Sequence, residues 1–280
     1  MANFRVLVAG TGYVGSRLLA ALPAESTLGV SRSAPDVVSQ TTVHADFDQD
    51  LAALPSAESI VYTVPPAGDD SQDLRLARFL KAVRVPPKRF VYVSTSGVYG
   101  DCNGQRVDER SRVNPSTARA RRRVAAEQLL ASWCEAGAFE LFVLRVPGIY
   151  GPGRLRLDRI QAGEPILREQ DAGPANRIHV DDLVTCLLAA VTTACPAGVF
   201  NVGDGDHRSS SWFSHTVAEL AGLPSPPELS LAEAKEQFSE MRLSFLRESR
   251  RLDVRRMREV LRVSLKYPDA REGIRDSLPH

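Results

Sequence analysis

The sequence predicts an α/β protein built on a doubly wound, mostly parallel sheet. Three observations predict this fold: short apolar runs that alternate with segments of helical periodicity, a glycine-rich turn directly after the first run, and an ordinary globular composition over 280 residues. Strands that alternate with helices need crossover connections, and these connections cover both faces of a parallel sheet. A doubly wound sheet is the simplest arrangement that satisfies the pattern.

Short runs rich in Val and bounded by Gly, Pro, Asp or Ser are typical of buried strands. Six such runs cover residues 4–9, 27–30, 41–45, 59–64, 89–93 and 141–146. Apolar residues recur at helical spacing between several of these runs, over residues 14–22, 74–83 and 124–133. This repeated order of strand and helix predicts the sheet of the first half of the chain.

The pattern changes after Tyr150. Residues 151–176 are irregular, with four Gly and three Pro. Order returns with a helix expected over 178–191, started by Asp181, and with a strand expected over 199–202.

No strand alternation recurs from residue 225 onward, where helical patterns cover 231–238 and 252–260. The chain is therefore predicted to form two units. A large unit comprises residues 1–150 plus 177–204, and a small, mainly helical lobe comprises residues 151–176 plus 205–280.

Composition excludes several classes of partner. Thirty-five basic residues against 34 acidic ones leave a net charge of +1, so no nucleic-acid or anionic-membrane partner is expected. The four cysteines form no C-x-x-C pair, which favours reduced thiols and predicts no metal site. The longest nearly apolar run, residues 183–191, is too short to cross a bilayer, and no signal-peptide pattern opens the sequence. A cytoplasmic protein with a small-molecule substrate is expected.

The clearest motif is the turn Gly10-Thr11-Gly12-Tyr13-Val14-Gly15, which follows the first predicted strand and opens the first predicted helix. In this context Gly10 permits a tight turn, Gly12 lets the backbone approach a diphosphate, and Gly15 lets helix and strand pack closely. The free N–H groups of the helix start then face the negative charge. The motif predicts dinucleotide binding at residues 10–15, and the alternative is a glycine-rich turn without a ligand.

The end of the second strand decides between NAD and NADP. An NAD site usually places an acidic residue there to bind the ribose 2′-hydroxyl, but this chain has Ser31, Arg32 and Ser33, and its first acid beyond them is Asp36. Arg32 can pair with a 2′-phosphate, with Ser31 or Ser33 as additional donors. The sequence therefore favours NADP over NAD, and the alternative is a solvated surface arginine.

Three further residues are predicted near the cofactor. Asp46 and Phe47 follow the third strand, where the carboxylate would meet the adenine amine and the ring would lie beside the base. The alternative for this pair is a turn aspartate and a core phenylalanine. Thr63, near the end of the fourth strand, is the third candidate.

Several segments, with the glycine turn, resemble the extended short-chain dehydrogenase/reductase family, which includes nucleotide-sugar epimerases and dehydratases. They are VYVSTSGVYGD (residues 91–101), the arginine-rich helix that ends in Ala126-Glu127-Gln128, LRVPGIYGPGR (144–154), NRIHVDDL (176–183), VFNVGDG (199–205) and YPDAREGIRDSL (267–278). The resemblance implies a Rossmann-type domain with a small C-terminal substrate lobe. It also implies a homodimer through helices around residues 74–83 and 118–133.

The family's chemistry uses a Tyr, a Lys four residues later, and a Ser or Thr. By the resemblance, the Ser/Thr position falls on Thr95, the Lys position on Arg123 and the Tyr position on Arg119. Residues 111–132 contain neither Tyr nor Lys, so the chain resembles an atypical member. Arg123 would supply charge and hold the ribose, and Arg119, which cannot exchange a proton near neutral pH, would bind an anionic group. The alternative for this arginine run is a solvated helix face.

Structural roles are expected for Tyr99, Tyr150 and His179, with Asp181 or Asp182 as a helix N-cap. Two functions remain open. The first is a slow or unusual NAD(P)-dependent oxidoreductase or epimerase that acts on a small, anionic carbonyl or hydroxyl compound, with water or a residue of the small lobe relaying the proton. The second is a catalytically silent dinucleotide binder that senses the cofactor and regulates a partner.

Overall fold

The computed structural model describes residues 4–32, 41–68, 72–240, 242–243 and 248–279. Seven parallel strands form the main sheet: β1 (Phe4–Ala9), β2 (Thr27–Ser31), β3 (Thr41–His44), β4 (Ala57–Tyr62), β5 (Arg89–Thr95), β7 (Glu140–Val146) and β11 (Gly198–Asn201). Six short strands pair outside it: β6 (Arg106–Val107), β8 (Gly148–Tyr150), β9 (Ile166–Leu167), β10 (Arg177–His179), β12 (Glu228–Leu229) and β13 (Arg251–Leu252). The order in the main sheet is β11-β7-β5-β4-β1-β2-β3. The predicted Rossmann-type α/β fold is therefore confirmed.

Nine α-helices are present in the described ranges. Four accompany the main sheet: α1 (Gly15–Ala20), α2 (Leu74–Ala82), α3 (Ala118–Gly137) and α5 (Val180–Thr192). The others are α4 (Leu157–Gln161), α6 (Ser210–Leu220), α7 (Leu231–Gln237), α8 (Arg255–Glu259) and α9 (Ala270–Ser277). None of the helices in these ranges is long and apolar enough to cross a membrane.

Helices cover both faces of the sheet because successive strand residues point to opposite sides. In β1, Val8 packs in the core that contains residues of α1 and α5, whereas Leu7 packs in the core that contains residues of α2 and α3. A third apolar cluster joins α4, α6 and α9 around Tyr150. The sheet therefore carries two cores, and the helices of the second half form their own.

The start of α5 differs from the prediction. Residues 177–179 form β10, and the helix begins at Val180 with His179 as its N-cap, whose Nδ1 accepts from the Asp181 N–H at 3.2 Å. Neither predicted aspartate caps the helix. The Asp182 carboxylate is turned to the C-terminal segment, where it accepts from the N–H groups of Lys266 and Tyr267 at 2.6 and 3.1 Å.

The last third of the chain also departs from the prediction, because it contributes two short strands. Glu228–Leu229 pairs with β9, and Arg251–Leu252 pairs with β6. Each strand has only two residues, which is too short to produce a period of two in the sequence. These pairings tie the second half of the chain to segments that come much earlier.

Parallel strands bring their carboxyl ends to one edge of the sheet. Because β1, β4 and β5 are close neighbours, Gly10, Thr63 and Thr95 lie along the same edge. Ligands of open α/β sheets bind at this edge. The fold therefore places the glycine turn and the candidate catalytic residue Thr95 at the same edge of the sheet.

Candidate functional site

The glycine turn has the geometry that its sequence requires. Gly10 has φ +89°, and a Cβ on it would stand 2.8 Å from Thr63 Oγ1, so only glycine fits there. A Cβ on Gly12, by contrast, would meet no atom within 4 Å. Gly12 therefore faces open space at the start of α1, where a diphosphate would approach the backbone.

The side chain of Thr63 is hydrogen-bonded to the backbone of this turn. Its Oγ1 donates hydrogen bonds to the carbonyl oxygens of Ala9 and Gly10, at 3.1 and 2.8 Å. Gly10 N–H in turn donates to Val30 O at 2.8 Å. The hydroxyl of Thr63 is thus committed to the backbone of the turn, and its contribution to a cofactor site is to hold that turn in place.

At the end of β2, Arg32 is 60% exposed in its side chain and lies 3.5 Å from the Asp48 carboxylate. Asp48 is held more firmly by Arg75, whose Nε and Nη2 donate to its two oxygens at 2.6 Å each. These hydrogen bonds from Arg75 lower the pKa of Asp48. Ser31 is buried, and Ser33 lies outside the described residues. Two guanidinium groups therefore share one carboxylate where a 2′-phosphate is expected, and the sequence reasoning had identified only Arg32.

The prediction for Phe47 is wrong. Its ring is 4% exposed and packs against Tyr62 and Phe79, with ring centroids 6.2 and 6.1 Å away. The side chain is part of the core beneath α2 and has no face left for an adenine. Asp46 forms a turn, since its Oδ1 accepts from the Asp48 N–H at 3.1 Å, and its contact with the adenine stays a prediction.

Thr95 ends β5 and caps the 3-10 turn Ser96–Tyr99, with its Oγ1 accepting from the Gly97 N–H at 3.2 Å. A Cβ on Gly97 would lie 3.8 Å from the Cβ of Ala120, so this turn packs against the first turn of α3. Arg119 is the neighbour of Ala120. The structure therefore brings together Thr95 and the helix turn that carries Arg119.

Arg119 reaches solvent, and within the described ranges it forms no ion pair. Partial loss of hydration lowers its pKa, and the nearby charges of Arg123 and Arg122 lower it further. Like charges that are close to one another favour the arrival of an anion. The position that the resemblance gives to a tyrosine is thus held by an uncompensated cation.

Arg123 is turned away from this surface. It is 4% exposed, and its Nη1 donates to Tyr92 Oη at 2.9 Å inside the protein. Burial raises the pKa of Tyr92 to about 12, so this phenol stays protonated near neutral pH. A guanidinium this deep has no surface for the predicted ribose contact, and its contribution to the site is its charge.

The tyrosine of the VYG segment has the structural role that the sequence predicts. Tyr99 is 1% exposed, donates to Asn201 Oδ1 at 2.7 Å and accepts from Arg145 at 3.0 Å. Arg145 also forms a buried ion pair with Glu127 of α3 at 2.7 Å. This network fixes α3 against the end of β5, and so it fixes the distance between Arg119 and Thr95.

A cleft of about 480 Å³ opens beside this end of the sheet. Ser96, the neighbour of Thr95, lines it, together with residues of the second half of the chain. Six arginines line the cleft: Arg154, Arg156, Arg159, Arg177, Arg242 and Arg250. Among the described residues that line the cleft, only Glu164 and Glu248 carry the opposite charge. The described lining therefore holds four more basic than acidic residues, and one of its arginines, Arg177, lies 3.5 Å from the Asp206 carboxylate outside the lining.

Glu248 is the acidic group that the sequence reasoning missed. Its Oε2 accepts from Arg250 Nη1 and Nη2 at 3.0 Å each, and its Oε1 accepts from Ser116 Oγ. Ser116 precedes α3 and lies three residues before Arg119. No local signal could have found this carboxylate, because it reaches the site from a segment more than 120 residues away in the chain.

Comparisons with known proteins identify the family and the fold that this chain resembles. Residues 72–203 match the profile of the NAD dependent epimerase/dehydratase family. A protein of unknown function from Silicibacter pomeroyi DSS has 30% sequence identity and a TM-score of 0.83, with 99% of this chain and 98% of that chain covered. The chain belongs to the NAD dependent epimerase/dehydratase family. The human epimerase family protein SDR39U1, solved with NADPH, shares the fold at 21% identity with a TM-score of 0.73, and the match covers 98% of each chain.

Other family relatives are more distant or match only in part. MoeE5, solved with UDP-glucose and NAD, is 25% identical with a TM-score of 0.77 and covers 98% of this chain and 97% of its own. The mouse (Mus musculus) dTDP-D-glucose 4,6-dehydratase is 28% identical over 142 residues, 48% of this chain and 38% of the relative. A 3-diazoavenalumate denitrifying reductase of Streptomyces sp is 34% identical over 128 residues, 43% of this chain and 40% of the relative. The matches thus span about two fifths of the length of these curated relatives.

The turn of this family member fits a dinucleotide. Gly12 leaves the backbone open, and Gly10 and Gly15 allow the tight approach of strand and helix. Arg32, directly after β2, and Arg75 of α2 both contact the Asp48 carboxylate. These residues would hold the diphosphate and the adenosine end of the cofactor. The chain therefore has an NAD(P)-binding fold.

Proposed function

We propose that this protein is an NAD(P)-dependent oxidoreductase that acts on a small anionic carbonyl or hydroxyl compound, with NADP as the favoured cofactor. The observation that carries the proposal is the cleft lined by six arginines and two glutamates. Ser96 in its wall adjoins Thr95, so an anion held in the cleft is brought to the end of β5. A positive cleft raises the local concentration of an anionic substrate and speeds its association.

Each residue of the site has a distinct task in this proposal. A nicotinamide held at this edge of the sheet would supply or accept the hydride. Thr95 Oγ1 donates a hydrogen bond to the reacting oxygen, and Arg119 binds an anionic group of the substrate. In the direction of oxidation, the Glu248 carboxylate takes the proton that the substrate hydroxyl releases, and in reduction it returns that proton to the oxygen of the former carbonyl. Glu248 thus stands in for the tyrosine that residues 111–132 lack.

The test is single-turnover consumption of NADPH with matched anionic and neutral carbonyl compounds, such as pyruvate with acetone and UDP-4-keto sugars with the free keto sugars. We expect the anionic member of each pair to react faster, and Thr95→Ala to slow it sharply. Thr192→Ala is the matched control, since the exposed Thr192 hydroxyl donates to Leu188 O of its own helix at 2.8 Å. Equal rates for Thr95→Ala and the wild type would remove Thr95 from the reaction.

A silent dinucleotide sensor is the second candidate. The absence of Tyr and Lys from residues 111–132 favours it, since the usual general acid and its partner are then both missing. A sensor must bind the oxidised and reduced cofactors with different affinities, because only a difference in affinity shifts a conformational equilibrium. Equal calorimetric affinities for NADP and NADPH would contradict this candidate and leave the enzyme.

A further inference from the structure

Two guanidinium groups lie over the ring of Tyr13, in the middle of the glycine turn. Arg17 Cζ is 4.1 Å from the centroid of the ring, and Arg154 Cζ is 3.9 Å from it. Arg17 belongs to α1 and also donates to Tyr13 O at 2.8 Å. Arg154 comes from the loop that follows β8, more than 130 residues later. The turn is therefore in direct contact with a segment that lines the cleft.

The contact is built into the packing of that loop. Tyr13 Oη donates to Pro152 O at 3.0 Å. Gly151 has φ +146°, and a Cβ on it would stand 2.7 Å from Tyr13 Oη, so a side chain there would push the phenol away. The absence of a Cβ at Gly151 is what lets the phenol reach the loop and lets Arg154 cover the ring.

The two guanidinium groups carry charge that the neighbourhood does not neutralise. Among the described residues, neither Arg17 nor Arg154 has a carboxylate oxygen within ion-pair distance. The carboxylate that acts on Tyr13 is that of Asp181, which is 3.9 Å from Lys266 Nζ. The turn is thus flanked by two positive charges that pair with no carboxylate of the described residues, which favours an anionic ligand beside it.

We propose that Arg17 and Arg154 bind the diphosphate of the dinucleotide, so that the loop after β8 supplies a cofactor ligand to the glycine turn. Guanidinium groups suit this task because their planar donors match phosphate oxygens. Arg154 also lines the cleft, so binding of the cofactor fixes a wall of the substrate site. The inference rests on the dinucleotide binding of the proposed function and names the residue through which cofactor and cleft are connected.

The first experiment compares dissociation constants by calorimetry for NADP, NADPH, NAD and NADH. Arg154→Ala should weaken all four by the same factor, about tenfold or more, because the diphosphate is common to them. Arg32→Ala should weaken only the two that carry a 2′-phosphate. Arg5→Ala is the charge-matched control, since Arg5 is exposed near the start of β1, at the opposite end of the strand from the turn, and it should change no affinity.

The second experiment measures amide hydrogen exchange in residues 151–154. Saturating NADPH should slow exchange there in the wild type and leave it fast in saturated Arg154→Ala. The role of Arg154 in diphosphate binding would be overturned, with dinucleotide binding intact, by either of two results. One is an Arg154→Ala variant with wild-type affinities, and the other is hydrogen exchange in residues 151–154 that NADPH leaves unchanged. A wild type that binds neither the nucleotides nor inorganic pyrophosphate would overturn both.

Discussion

A Cβ atom on Gly15 would stand 1.9 Å from the carbonyl oxygen of Gly10. The end of β1 and the start of α1 therefore touch through backbone alone. Gly12, between them in the chain, has no atom within 4 Å of its would-be Cβ. Gly10 and Gly15 are thus required by the packing of the strand against the helix, whereas Gly12 leaves open space that a ligand can occupy.

Gly12→Ala and Gly15→Ala should therefore behave differently. Gly15→Ala forces the helix away from the strand and should lower the free energy of unfolding by about 1–3 kcal/mol or more. Gly12→Ala should leave that free energy within about 0.5 kcal/mol, since exposed changes are usually small, yet its methyl group blocks the diphosphate and should weaken NADPH binding at least tenfold. Urea unfolding and calorimetry measure the two effects. Full NADPH affinity in Gly12→Ala would show that the ligand does not approach this backbone.

Arg32→Ala tests the choice of cofactor. A charge-assisted hydrogen bond to phosphate contributes about 1.5–3 kcal/mol, so NADP affinity should fall about tenfold to a hundredfold while NAD affinity stays the same. Arg78→Ala is the matched control, because Arg78 also faces an aspartate, Asp50, at 4.0 Å but lies on α2 beyond Arg75. If NAD and NADP lose affinity equally, Arg32 does not read the 2′-phosphate.

Asp204 predicts a pH dependence of stability. It is 3% exposed, and burial raises its pKa from 3.8 to about 7, even though nearby Arg177 opposes the shift. Between these values the folded protein keeps a proton that the unfolded chain releases, so the contribution of Asp204 to stability falls as the pH rises from about 4 to 7. Asp204→Asn removes this titration. From pH 5 to pH 8 the wild type should therefore lose roughly 2–3 kcal/mol of unfolding free energy relative to Asp204→Asn.

Urea unfolding at four pH values measures that difference. Asp206→Asn is the control, because hydrogen bonds from Arg208 help to lower the pKa of Asp206. The contribution of Asp206 to the free energy of unfolding is therefore lost at low pH and stays constant from pH 5 to pH 8. Stability profiles of wild type and Asp204→Asn that run parallel from pH 5 to pH 8 would contradict the assignment.

Glu248→Gln tests the proton path. The amide keeps the size of the side chain but cannot exchange the proton, so the single-turnover rate with an anionic carbonyl substrate should fall by about 10²–10⁴. NADPH affinity should stay that of the wild type. Glu58→Gln, which changes an exposed carboxylate paired with Lys88, should alter neither quantity. A rate unaffected in Glu248→Gln would assign the proton to another group.

Much of the fold was predictable because its signals are local. The runs at residues 4–9, 27–30 and 41–45 become β1, β2 and β3 with at most one residue of difference at an end. Val-rich runs between turn-forming residues specify buried strands, and a turn with three glycines specifies its own backbone path. The orientation of Phe47 was not predictable, since a ring after a strand can pack either inward or toward a ligand.

The candidate site was predictable only in part. The glycine turn and Arg32 follow from short motifs, whereas Glu248, Arg75 and the stacking of Arg154 on Tyr13 depend on how distant segments pack. Periodicity and spacing carry no information on such contacts. The burial of Arg123 against Tyr92 has the same origin, because the helix face that a residue occupies does not say how deep its side chain lies.

Isothermal titration of the wild-type protein with NADPH measures whether the glycine turn at residues 10–15 binds a dinucleotide. We expect one site per chain with a dissociation constant in the micromolar range or tighter, and a lower affinity for NADH. Absence of binding heat at two temperatures, with no change in the melting temperature at millimolar NADPH, would contradict this expectation.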